Sequence, residues 1–222
     1  MASAEPAHEL CNIAHWIRLC RHAGAVARID DSYRAVIARY DEPPRAYHNL
    51  GHVAHCLAEF DLLVEDAECA AAVAFAIWFH DAVYDTHRAD NEQQSADFAL
   101  QTLNAMRVPA TITERVPDLI LLTRHVDTPV TRDGQLIVDV DLAILAAPPA
   151  VFDDYEARIR QEYAWVDEAL FWRKRREFLV TLLQRPAIFH TPHFHTRYEE
   201  RARQNLRRAI AHAETLLGTP IS

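Results

Sequence analysis

The chain has 222 residues, half of them apolar and only four of them glycine. That length can bury a substantial core in one domain, and scarce glycine beside abundant Ala, Leu, Arg and Glu points to helices. A formal charge of -9 argues against a general nucleic-acid binder, which needs a basic face; small anionic ligands stay open, because a bound metal inverts the local field.

Helical periodicity recurs in about nine segments. The first covers residues 10–19 and continues to 26, and a short second covers 31–40. Asp41-Glu42-Pro43-Pro44 breaks the chain, since the second proline cannot extend a helix and each preceding residue is pushed out of the helical region. A third helix is predicted from His48 to Val64, and a fourth over the apolar run that ends near Ala82. Residues 84–91 are polar and irregular, with a helix start at Asp90 or Asn91. The amphipathic helix 92–106 follows, then a turn at 108–111 and a helix from about 112 to 125. Residues 127–134 read as a loop. The stretch 135–146 reads as a helix, with a short strand as the alternative because its apolar residues alternate. Three amphipathic helices, 151–163, 167–184 and 197–217, complete an all-α, single-domain bundle spanning 1–222.

Cys11, Cys20, Cys56 and Cys69 show neither a close-spaced metal pair nor a secreted-domain framework, and are expected to be reduced. Residues 1–6 carry no basic region and no apolar stretch of a signal peptide, and the longest apolar run is too short to span a bilayer. The expectation is a cytoplasmic protein without membrane association.

That apolar run ends in His80-Asp81, a pair costly to bury without a partner. Adjacent helical residues point about 100° apart, so both can reach one ion only near a helix end. The competing reading is a dipole-favoured C-terminal histidine beside a surface aspartate. His48 and His52, four apart, are expected on one helix face, as a paired site or as a cap and an exposed residue. Asp139 and Asp141 lie in an apolar stretch, so at least one must face an arginine or a metal. Order and spacing tip these readings together, because bundles build metal sites from side chains on facing helices. Two imidazoles and two carboxylates suit one or two divalent ions, Mn, Fe, Co, Ni or Zn, with Mg at an oxygen-rich position.

Asp85, Glu92 and His125 are the groups from which a second metal site or an outer shell could be built, although Glu92 serves equally as helix N-terminal charge. Arg45 and Arg124 could meet a substrate phosphate as bidentate donors, and Arg45 could instead pair with a carboxylate. The four tryptophans read as core or helix-contact residues. The run Arg173-Lys174-Arg175-Arg176 reads as a solvated face, and His190, His193 and His195 as part of a surface turn.

His52, His80-Asp81 and Asp141 together resemble the signature of the HD superfamily of metal-dependent phosphohydrolases, an all-α fold. The similarity extends through Tyr40, Pro43, Arg45 and Tyr47-His48-Asn49, then Phe79-His80-Asp81-Ala82 with Tyr84-Asp85. It continues in Asn91-Glu92 with Ser95-Ala96, Thr123 with His125, Asp139 with Asp141-Leu142, Arg160 with Glu162-Tyr163, and Glu200 with Ala202-Arg203 and Asn205-Leu206. It spans roughly residues 30–210 and looks like that of stand-alone bacterial members. More distantly, Tyr47-His48-Asn49 with His52 is similar to a segment of cyclic-nucleotide phosphodiesterases, in which the first histidine protonates the leaving oxygen and the second binds metal. The resemblance thus implies His48 as general acid, His52, His80, Asp81 and Asp141 as ligands, and a small phosphorylated substrate, possible nucleotides included. Asp81 would bridge to a second ion if one binds. The purine-gripping glutamine of the phosphodiesterases is not found here, so cyclic-nucleotide specificity is not implied. Two other readings stand beside it: an HD-fold di-iron oxygenase, needing more histidine ligands, and a binding or regulatory module stabilised by metal.

Overall fold

The computed structural model describes residues 10–43 and 45–218. The reading of residues 1–6 and the second proline of the predicted break, Pro44, lie outside the described residues. Among the described residues all regular structure is helical and no strand forms, so the chain is all-α. Among these residues no single helix is long and apolar enough to cross a membrane. The chain divides into two compact units, 1–141 and 142–222.

The first unit is built around α4, Ala70–Phe79. Its sequence is apolar on every side, so it can only be a buried central helix, and eight of its ten residues are buried. Around it pack α1 (Ile13–His22), α3 (Leu50–Asp61), α5 (Asn91–Ala105) and α7 (Val116–Leu122). Trp16 of α1 is fully buried and meets Phe75, Trp78 and Phe79 edge-on, with ring centroids 5.8, 5.2 and 5.9 Å away. Its indole N–H donates to the carbonyl of Ile29, the first residue of α2 (Ile29–Tyr40). At the other end of α2, the Tyr40 hydroxyl donates to the Trp78 carbonyl at 3.0 Å. The unit is completed by a 3-10 turn, Val64–Asp66, the one-turn helix α6, Ala110–Thr113, and α8, Arg132–Leu142.

Several predicted elements shift. The third helix begins at Leu50, because the Asn49 side chain accepts from the Gly51 amide and caps it there. The helix expected over 112–125 is two pieces, α6 and α7, and it stops at Leu122; His125 then takes a left-handed conformation with φ 55°. The stretch open between helix and strand is helical, α8 followed by a 3-10 turn, Ala143–Ala146.

In the second unit α9 (Pro149–Glu162) and α10 (Glu168–Leu183) both pack against α11 (Pro192–Leu216), and that 3-10 turn meets α9 and α11. Asn205 of α11 donates to the carbonyls of Leu145 and Ala147 at 2.8 and 2.9 Å. The basic run is not a uniformly solvated face: Arg175 forks onto Glu156 at 2.6 and 3.1 Å and onto the Tyr155 hydroxyl, and Arg176 pairs with Glu214. His193 and His195 belong to the first turn of α11 rather than to a loop, since Thr191 caps the helix and Pro192 opens it. Trp165 is 54% exposed, which removes it from the core set.

Candidate metal centre

The centre lies entirely in the first unit, where three segments meet. His52 sits in the first turn of α3, His80-Asp81 close α4, and Asp141 is the penultimate residue of α8. The end of α4 gives the geometry that adjacent ligands require: His80 caps the helix and the chain turns away after it. The His52 Nε2 is 3.0 Å from the His80 Nε2, 3.1 Å from an Asp141 oxygen and 3.5 Å from an Asp81 oxygen. The His80 Nε2 is 3.0 Å from that Asp81 oxygen and 3.5 Å from that Asp141 oxygen. Both imidazole side chains are 2% exposed and the carboxylates 16% and 13%, so water reaches the group from the carboxylate side.

An ion about 2.1 Å from its donors sets neighbouring donors about 3.0 Å apart in octahedral geometry and about 3.4 Å apart in tetrahedral geometry. The five separations span that interval. The tautomer of His80 also fits. Its Nδ1–H donates to the Ile77 carbonyl at 2.9 Å, which leaves Nε2 as the nitrogen that can take an ion in place of a proton. A divalent ion therefore suits these residues, and among the described residues His52, His80 and Asp81 form one of two groups able to hold one. The other group is His52, Cys56 and Asp141. Cys56, one turn beyond His52, donates to the Val140 carbonyl and lies 3.7 and 3.8 Å from the two His52 ring nitrogens. Near-equal distances place the sulfur against the ring rather than in line with either nitrogen. Burial, reinforced by Asp141 and Asp81, pushes the Cys56 thiol well above its ordinary range.

The charges are strongly interlocked. Burial alone would lower the His80 pKa, yet the Asp81 carboxylate and hydrogen bonds to Asp141 and Asp81 hold it well above the usual imidazole range. Burial would raise the Asp81 pKa, and His80 and His48 hold it below the usual carboxylate range. Asp141 is likewise held low against burial, first by its bond from His125. These two carboxylates require nearby positive charge, which imidazolium or a metal ion can supply.

The other expected residues separate into near and far. His125 approaches the second Asp141 oxygen through Nε2 at 2.8 Å, so it orients the carboxylate from outside. His48 precedes α3 and does not share a helix face with His52. Its ring stacks on Tyr84 at 4.2 Å and lies 5.9 Å from the His52 ring. The Arg45 guanidinium is 2% exposed and donates to the carbonyls of His48, Asp81 and Ala82 at 3.0, 2.6 and 3.0 Å. It is built into the wall of the site, and of the two partners expected for it, a phosphate or a carboxylate, the Glu42 carboxylate lies 3.9 Å away. Arg124 is half exposed and bonds to Leu121 in its own turn, with Asp127 at 3.8 Å. Asp85 is occupied by His87, its carboxylate accepting from both the backbone N–H and the ring. Glu92 lies in the first turn of α5, where its charge complements the dipole. Asp139 is fully buried. In the sequence Tyr84 stands only within the motif that carries the resemblance and Cys56 only as a reduced thiol, neither with a role at the site; the signal for Cys56 is its four-residue spacing from His52.

Compared with family models, with curated proteins and with solved structures, the chain matches none.

Proposed function

We propose that the protein is a metal-dependent phosphohydrolase of the HD type that cleaves a small phosphate ester, nucleotides being one substrate class. The observation that carries this reading is the convergence of two imidazole nitrogens and two carboxylates from three segments, with a third imidazole, His48, packed beside them. His52, His80, Asp81 and Asp141 would hold the ion. When bound, a divalent ion lowers the pKa of water and supplies a nucleophile near neutral pH.

The chain's own residues do the rest. His80 is fixed in the ligating tautomer by Ile77, and Asp141 is oriented by His125. Arg45 ties the His48 backbone to the end of α4 and so sets the distance between the histidine and the carboxylates. His48 holds the proton that the departing alcohol oxygen must receive, the task of a general acid. Support for hydrolysis over oxygenation comes from His125, which is turned onto Asp141 and adds no further nitrogen to the donor set.

The test is metal analysis of the purified protein, followed by hydrolysis of mono- and diester phosphates, nucleotides included, with added manganese. At least one divalent ion per chain and metal-dependent phosphate release are expected. A metal-free, inactive protein overturns the reading, and iron-dependent oxygen uptake without phosphatase activity replaces it.

A further inference from the structure

His48 lies outside α3, so helical side-chain restrictions do not orient its ring, yet a general acid must present its N–H within hydrogen-bond reach of the leaving oxygen. Its ring is nearly parallel to that of Tyr84, with centroids 4.2 Å apart and planes at 27°. Tyr47 meets it edge-on at 5.0 Å. The Tyr84 platform is itself anchored. The preceding Val83 is bonded at both its N–H and its C=O to the Ser95 hydroxyl, and the Arg45 guanidinium lies 5.6 Å from the Tyr84 ring centre. Arg45 also bonds the carbonyls of His48, Asp81 and Ala82, so the backbone segments carrying the two rings are tied to each other.

We propose that Tyr84 is a positioning residue for His48: its ring fixes the plane of the imidazole and thereby the aim of the general acid. The inference rests on the phosphohydrolase reading. An offset aromatic stack favours one relative orientation of its two rings beyond what burial alone supplies, and so holds the imidazole plane against rotation. The consequence is selective, because protonation matters most when the leaving group is a poor one. Removing the ring should slow esters of alkyl alcohols and spare esters of p-nitrophenol, whose anion departs without a proton.

The experiment compares ethyl and p-nitrophenyl esters of whichever phosphate class the manganese-loaded wild type hydrolyses. Tyr84→Leu should lower kcat for the ethyl ester by about 10–100-fold, a part of the about 10²–10⁴-fold available from general acid catalysis. KM and metal content should hold, and the p-nitrophenyl ester should change less than about threefold, within measurement and packing effects. Tyr84→Phe, which keeps the ring, should stay close to wild type on both. Tyr84→Leu combined with His48→Ala should be little worse than His48→Ala alone, as expected of residues acting as a unit. Equal losses on both esters, full additivity with His48→Ala, or a Phe variant as impaired as Leu would overturn the role. If Tyr84→Leu loses metal or helix content, Tyr84→Met takes its place in the same comparison. A wild type that hydrolyses neither ester fails at an earlier step, which identifies the phosphohydrolase reading as the error.

Discussion

At the residue scale, what a histidine does here is decided by what its ring already touches. His80 is committed at both nitrogens: Nδ1 to the Ile77 carbonyl and Nε2 to the donor set. His125 is committed to Asp141. His48 stacks on Tyr84 and packs against the His52 ring, and its charge bears on Asp81. Alanine at His80 or Asp81 should therefore abolish metal binding, whereas His48→Ala should keep the metal and lower turnover by about 10²–10⁴-fold. Metal analysis and steady-state kinetics on the same preparations check this, and a metal-free His48→Ala would make His48 a ligand. His52, His80, Asp81 and Asp141 are legible in the sequence because buried polar groups in apolar helices must find partners. The role of Arg45 is not legible, since a guanidinium accepts carbonyl, carboxylate or phosphate alike and only the fold decides which arrives.

At the scale of elements, α4 shows how a helix with nothing polar of its own is started. Its N-cap residue, Cys69, makes no side-chain cap. The missing acceptor comes from Asp133 at the start of α8, whose two carboxylate oxygens accept from the Glu68 and Cys69 amides at 2.7 and 3.0 Å. Asp133 is 4% exposed, so both bonds are shielded from water. Asp133→Ala should lower stability by about 1.5–3 kcal/mol, the range for charge-assisted bonds whose partners stay buried. Chemical denaturation checks it, with a change under 0.5 kcal/mol, the size of an ordinary surface substitution, counting against the cap. Most helices can be read from periodicity and caps, and α4 most plainly of all. The boundaries that fail have local causes. Asn49 caps one residue after His48, and the left-handed turn at His125 leaves no sequence mark such as glycine.

At the scale of the whole chain, all four cysteines are free and three of them are buried, so native stability depends on neutral thiols rather than on cross-links. Burial pushes both Cys11 and Cys20 from an ordinary value of 9.0 up to about 12. The sign follows from proton counting. Between these values the unfolded chain has lost the thiol proton and the folded chain still holds it, so the folded state binds more protons and stability falls as pH rises. Below pH 9 the contribution is complete, and it is lost on approach to 12. Each thiol should cost about 1.4 kcal/mol of unfolding free energy per pH unit across that window. Tyrosine ionisation overlaps the same range, so the decisive comparison is Cys20→Ala against wild type, measured by urea unfolding at a series of alkaline pH values. The variant starts lower because it opens a cavity in the core, but its curve should fall less steeply with pH. Parallel curves would show that Cys20 ionises as readily when folded as when unfolded.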